Sequence, residues 1–136
     1  MTKTELKHLI LSVKTIALVG ASLKAHRPSY EVMHFLQENG FKVFPVNPSL
    51  SGQTILNERV YASLDELPQQ VDMVDIFRNS EAAGETCAEA LALSPEKKPK
   101  IVWMQIGVIN EPAAKQLREN NFIVVMNECP KQILSN

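Results

Sequence analysis

The stretch TIALVGASLKAHRPSY, residues 15–30, decides how the rest of the chain is read. Residues 15–19 form an apolar, β-branched run as long as a strand buried on both faces, and Gly20 ends it. Pro28 then suits the first position of a helix, where a missing N–H has no helical partner to lose. Val32, Phe35 and Leu36 continue as a helical stripe, Gly40 stands where a C-terminal cap belongs, and residues 42–47 are a second apolar run. One strand, helix, strand unit is therefore complete by Asn47.

The pattern repeats downstream. Apolar runs at 71–77, 100–105 and 122–127 supply three more strands. Ser80 caps a helix carrying Ala83, Cys87, Ala90 and Leu91 that ends before Pro95. Asn110 caps another, with Pro112 in its first turn, then Ala113 and Leu117, and a stop near Asn120 and Asn121. Upstream, Thr2 and Glu5 have capping-box spacing ahead of Leu6, Leu9 and Ile10, which predicts a short helix over 3–12 covering a sheet edge. The linker 48–70 is less regular, with a turn at 49–52, an edge strand at Val60 and Tyr61, and one helical turn opened by Ser63 and Glu66 and closed by Pro68. Strands alternating with helices predict an α/β fold: a three-layer, doubly wound sheet of about five parallel strands with the first strand near its centre.

A chain of 136 residues is one domain, 1–136, able to bury a real core. Fourteen basic against fifteen acidic side chains leave a net charge of −1, so no global field draws nucleic acid or anionic lipid, and any anion must be caught locally. Runs such as 16–19 fall far short of the ~20 apolar residues that span a bilayer, and Lys3, Glu5, Lys7 and His8 interrupt any signal-like segment. A cytoplasmic protein without membrane or nucleic-acid partners is expected. Two cysteines, Cys87 and Cys129, give neither a disulfide framework nor a metal site.

Ligands of such sheets bind beyond the carboxyl ends of the strands, at the point where strand order reverses. The segments that matter are then 20–27, 47–48, 77–79, 105–108 and 127–130. The first is placed as an anion cradle: a small-residue turn with free N–H groups ahead of a helix, Ser22 and Ser29 as hydroxyl donors, Lys24 and Arg27 as cations. A plain tight turn with solvated cations is the bland alternative. A dinucleotide fingerprint would place glycines where Ser22 and Ala25 stand, and an acid at the second strand's end, where the chain has Asn47 and Pro48. No Walker sequence follows either. At the third exit Arg78 can clamp a phosphate or simply pair with Glu81; at the fourth, Gln105 offers an amide and Gly107 a close backbone approach.

No catalytic constellation stands beside these segments. His8, His26 and His34 lack spaced Asp, Glu or Cys partners, and Asp72 and Asp75, three apart on the third strand, point to opposite faces.

Taken in order, IALVGAS, RPSY, GFKVFPVNP, YASLDELP, VDMVDIFR, IVWMQIGV and ECPK span residues 15–131, and as a set they closely resemble the small, stand-alone CoA-binding domain family, the YccU-like proteins. The resemblance implies a Rossmann-like fold related to the CoA-binding domain of the succinyl-CoA synthetase alpha subunit. It implies coenzyme A as ligand, with the diphosphate near Gly20, Ala21, Ser22 and Lys24, and Arg27 and Ser29 close by. The adenosine end falls near Asn47 and Pro48, with further contacts at Phe77 and Arg78 and at Met104, Gln105, Ile106 and Gly107. The missing acid at the second strand's end agrees, since a carboxylate would repel the ribose 3′-phosphate. The synthetase's phosphorylated histidine has no counterpart among the three histidines, so a non-catalytic binder of CoA or acyl-CoA is expected. The alternative is an NAD(P)-binding or acyl-CoA-processing component acting with a separate subunit; a homodimer is left open. Two departures stand out. The turn 93–101 is long and basic, and Asn127 and Glu128 replace an aspartate and arginine common in relatives. Cys129 lies at the ligand end and is a candidate for a mixed disulfide with the CoA thiol, although Glu128 beside it opposes thiolate formation.

Overall fold

The computed structural model describes residues 1–135. In chain order it contains α1 (Lys3–Leu11), β1 (Thr15–Val19), α2 (Pro28–Glu38), β2 (Lys42–Val46), β3 (Thr54–Ile55), β4 (Glu58–Arg59), β5 (Met73–Ile76), α3 (Ser80–Ala92), β6 (Ile101–Met104), α4 (Glu111–Glu119), β7 (Ile123–Val125) and α5 (Pro130–Ser135). Five strands form one parallel sheet in the order β2-β1-β5-β6-β7. The central strand is β5, and β1 lies beside it, near the centre as expected. Strand order reverses between these two, so their carboxyl ends open the crevice that doubly wound sheets use.

Both sheet faces are covered, which is why the strands read as unbroken apolar runs. On one face Ile16, Leu18, Met73 and Trp103 pack with Leu6 and Ile10 of α1, Val32, Met33 and Leu36 of α2, and Ile133 of α5. On the other, Ala17, Val74, Ile76, Val102 and Met104 meet Ala83, Cys87 and Ala90 of α3 and Ala114 and Leu117 of α4. The result is the Rossmann-like, three-layer arrangement.

Local chemistry sets the helix ends. Thr2 and Glu5 close a reciprocal capping box on α1. Pro28 is the first residue of α2, and Gly40, at φ +89°, ends it: its N–H reaches the Gln37 carbonyl while the Phe41 N–H reaches that of Leu36. Asn110 caps α4. The helix predicted from Ser80 is instead capped by Asn79, whose side chain accepts the Ala82 N–H. Ser80 uses its hydroxyl elsewhere, accepting the Ile109 N–H at 3.0 Å.

The linker departs most from expectation. A 3-10 turn at Pro48–Leu50 leads into the β3–β4 hairpin, and Tyr61 alone bridges the sheet edge at Val46. Ser63 does precede a short 3-10 helix, Leu64–Glu66, but it makes no backbone cap, and the Leu64 N–H is taken by the Glu89 carboxylate. The basic turn around Pro95–Lys97 lies at the amino end of β6, away from the crevice.

Candidate functional site

The exits of β1, β2, β5 and β6 meet in a cleft of about 500 Å³ at the carboxyl edge of the sheet. From the first loop, Gly20, Ala21, Ser22, Lys24 and Arg27 line it, followed by Pro28 and Ser29 at the start of α2. Asn47, Phe77, Gln105 and Ile106 complete the walls from the other exits, with Ser49, Leu50 and Val108. Val108 lies in the 105–108 exit named from sequence, whereas Pro28, Ser49 and Leu50 fall just outside the named exits, so proximity was their only signal as site residues.

Gly20 is fixed by packing. Its φ is +92°, and a Cβ there would lie 2.2 Å from the Phe77 carbonyl oxygen, so β1 and β5 close on each other only with glycine between them. The N–H groups of Gly20 and Ala21 are not free, as the sequence reading had them; both donate to the Val46 carbonyl, at 3.0 and 3.3 Å. The Lys24 N–H is spent on the Ser22 hydroxyl. The N–H groups of Ser22, Leu23, Ala25, His26 and Ser29 have no acceptor among the described residues, so the loop offers an anion these donors together with side-chain charge. Lys24 and Arg27 are exposed and, among the described residues, neither is in an ion pair. No carboxylate lines the cleft. A chain of net charge −1 thus carries a locally cationic hollow.

Asn47 is committed to holding the loops together. Its Nδ2 donates to the Ala21 carbonyl and its Oδ1 accepts the Ser49 N–H, both at 2.9 Å. Gln105 differs: it is 7 % exposed, yet its Oε1 has no hydrogen-bond partner among the described residues. A buried acceptor left so is costly and marks a place where a donor belongs.

Several residues singled out from sequence lie outside the cleft. Pro48 and Arg78 face a smaller hollow on the α3 side, with Thr86 and Glu89. The Arg78 guanidinium turns onto α3, donating to the Ala82 carbonyl at 3.3 Å and the Thr86 hydroxyl at 3.4 Å, and its ion pair is with Glu85 at 3.9 Å, not Glu81. The Met104 side chain is wholly buried in the α3–α4 core. Gly107, at φ +84°, donates its N–H to Asn127 Oδ1 at 2.7 Å, so Asn127 ties the β6 and β7 loops together. Trp103 Nε1 donates to the Glu128 carbonyl and holds the same segment. Cys129 is buried and lines a second cavity, between α2 and α5. Burial pushes the Cys87 thiol up to about 11, which leaves it inert at neutral pH.

The three histidines are exposed, His34 lying 3.7 Å from Glu38, and no group of three metal-ligating side chains occurs among the described residues. Nor is any described helix long and apolar enough to cross a membrane.

Known proteins share this arrangement. Residues 14–135 match the family described as the CoA binding domain. An uncharacterized protein of Bacillus subtilis, YneT, is 33 % identical over 130 residues, covering 96 % of this chain and 92 % of that one. A solved structure from Thermus thermophilus superposes with a TM-score of 0.90 at 34 % identity, covering 99 % and 98 % of the two chains. An ADP-forming acetate–CoA ligase of Archaeoglobus fulgidus is 35 % identical over 78 residues, which is 56 % of this chain but 11 % of the ligase. With nearly its whole length matched, the chain belongs to the CoA-binding domain family.

Proposed function

We propose that this protein binds coenzyme A in the cleft at the strand exits and performs no chemistry on it. The observation that carries the reading is the charge of that cleft: Lys24 and Arg27 without an ion-pair partner, the Ser22, Ser29 and Ser49 hydroxyls, and no carboxylate. Such a lining favours a ligand with several phosphates. The diphosphate is taken by Ser22, Lys24, Arg27 and Ser29. The adenosine end lies towards Asn47 and Pro48, and the pantetheine arm leaves past Phe77, Gln105 and Ile106. NAD is disfavoured because no acidic residue at the β2 exit is available for its ribose. The three histidines are exposed and none lines the cleft, which supports binding alone.

Calorimetric titration with CoA, acetyl-CoA, NAD and ATP tests the assignment. CoA is expected to bind, with Arg27→Ala and Ser22→Ala each weakening it about three- to tenfold, the loss of one charged or hydroxyl contact. His34→Ala, on the solvent side of α2, leaves it unchanged. Heats for NAD with none for CoA overturn the reading.

A further inference from the structure

We infer that the physiological ligand is an acyl thioester, its uncharged aliphatic acyl chain seated in the second cavity, between α2 and α5. This rests on the CoA reading of the first cleft and extends it to the other end of the ligand.

The second cavity, about 630 Å³, shares Pro28, Gln105 and Ile106 with the first, so these side chains form the divide between two adjacent spaces. Two features of the divide specify what crosses it. Gln105 Oε1 is the buried acceptor without a partner. Phosphate and carboxylate oxygens are themselves acceptors and cannot satisfy it; a donor must. The pantetheine arm carries two amide N–H groups between its diphosphate and its sulfur. Ile106 is 49 % exposed, an apolar side chain at the mouth that a crossing chain would remove from water.

Beyond the divide the floor is apolar, with Val32 and the buried Cys129 beside Pro28 and Ile106. The charged residues lining it are Glu31 and Lys131, of opposite sign, and the Lys131 ammonium rests 5.9 Å from the centre of the Phe35 ring. A carboxylated acyl group meets no net positive field there, whereas an aliphatic one gains the floor. The α3-side hollow is smaller, about 250 Å³, and neither Gln105 nor Ile106 lines it, so it does not continue the path past these two side chains.

The test is calorimetry with CoA, hexanoyl-CoA, succinyl-CoA and adenosine 3′,5′-bisphosphate. Each buried methylene is worth up to about fourfold in affinity, so hexanoyl-CoA is expected to bind about tenfold or more tighter than CoA, and succinyl-CoA no tighter. Gln132→Trp and Glu31→Trp, at exposed rim positions on α5 and α2, fill the cavity from either side and bring the hexanoyl-to-CoA ratio towards one. Gln105→Leu weakens CoA about fivefold while leaving adenosine 3′,5′-bisphosphate, which has no pantetheine arm, unaffected. Equal affinities for CoA and hexanoyl-CoA, or a ratio that survives both tryptophan variants, overturn the inference alone. Failure of CoA itself to bind overturns the parent reading with it.

Discussion

Asp75 stands in the middle of β5, opposite Leu18 on β1 and Trp103 on β6, and neither of its carboxylate oxygens has a hydrogen-bond partner among the described residues. Burial pushes its pKa well above the ordinary carboxylate range, because a bare charge is too costly among apolar neighbours. The linkage follows in sign. The folded protein holds a proton that the unfolded chain releases near pH 3.9, so stability is greatest below that pH and declines as pH rises towards the folded-state pKa. Asp75→Asn removes that loss. The variant is expected to be more stable than the parent at pH 8, by on the order of 1–3 kcal/mol, and to lose most of that advantage at pH 4. Urea unfolding at the two pH values checks it; an asparagine variant less stable at both would mean that the carboxyl group has a favourable partner.

Three residues earlier the same segment carries an acid of opposite behaviour, and here the effect belongs to the joining of two elements. Asp72 Oδ2 accepts the N–H groups of Lys14 and Thr15, at 2.8 and 3.1 Å, and its own N–H donates to the Thr15 hydroxyl, so it stitches the amino ends of β1 and β5. Its partial burial works to raise the pKa, but these hydrogen bonds, with Lys100 nearby, outweigh that and lower it. Its contribution is therefore present above about pH 4 and is lost as pH falls through the lowered value. Asp72→Ala is expected to cost about 1 kcal/mol at pH 7, and less at pH 3, by the same unfolding measurement. The runs containing these strands were legible because burial on two faces demands unbroken apolar residues, and α2 and α4 were legible from Pro28, Gly40 and Asn110. The β3–β4 hairpin was not: its strands are two residues long, too short for a period, and Leu56 and Asn57 both take positive φ in its turn. Helix α5 was equally hidden in the six residues PKQILS, and with it went the second cavity. Asp75 in an apolar run was visible, but its isolation depends on what α2 and the flanking strands place against it.

At the scale of the molecule, four separate loops converge because one parallel sheet brings all its carboxyl ends to one edge, which is why the cleft could be located from strand exits alone. Which side chains enter it could not, since Arg78 and Met104 turn away for reasons of packing on α3 and α4. The cleft's cationic character rests on exposed Lys24 and Arg27, so binding of a polyanion there should couple to the stability of the whole fold in a salt-dependent way. A ligand that binds only the folded state at a hundredfold excess over its Kd stabilises by about 2.7 kcal/mol. For a chain of this length that corresponds to a rise in Tm of about 10 °C. CoA is expected to produce such a rise at 50 mM NaCl and a markedly smaller one at 1 M, where the screening length falls to about 3 Å. Arg27→Ala should diminish both the rise and its dependence on salt, because one of the two responsible charges is gone. A thermal scan across salt concentrations measures this directly, and a CoA-induced rise indifferent to salt in both proteins would show that apolar contacts, not Lys24 and Arg27, hold the ligand.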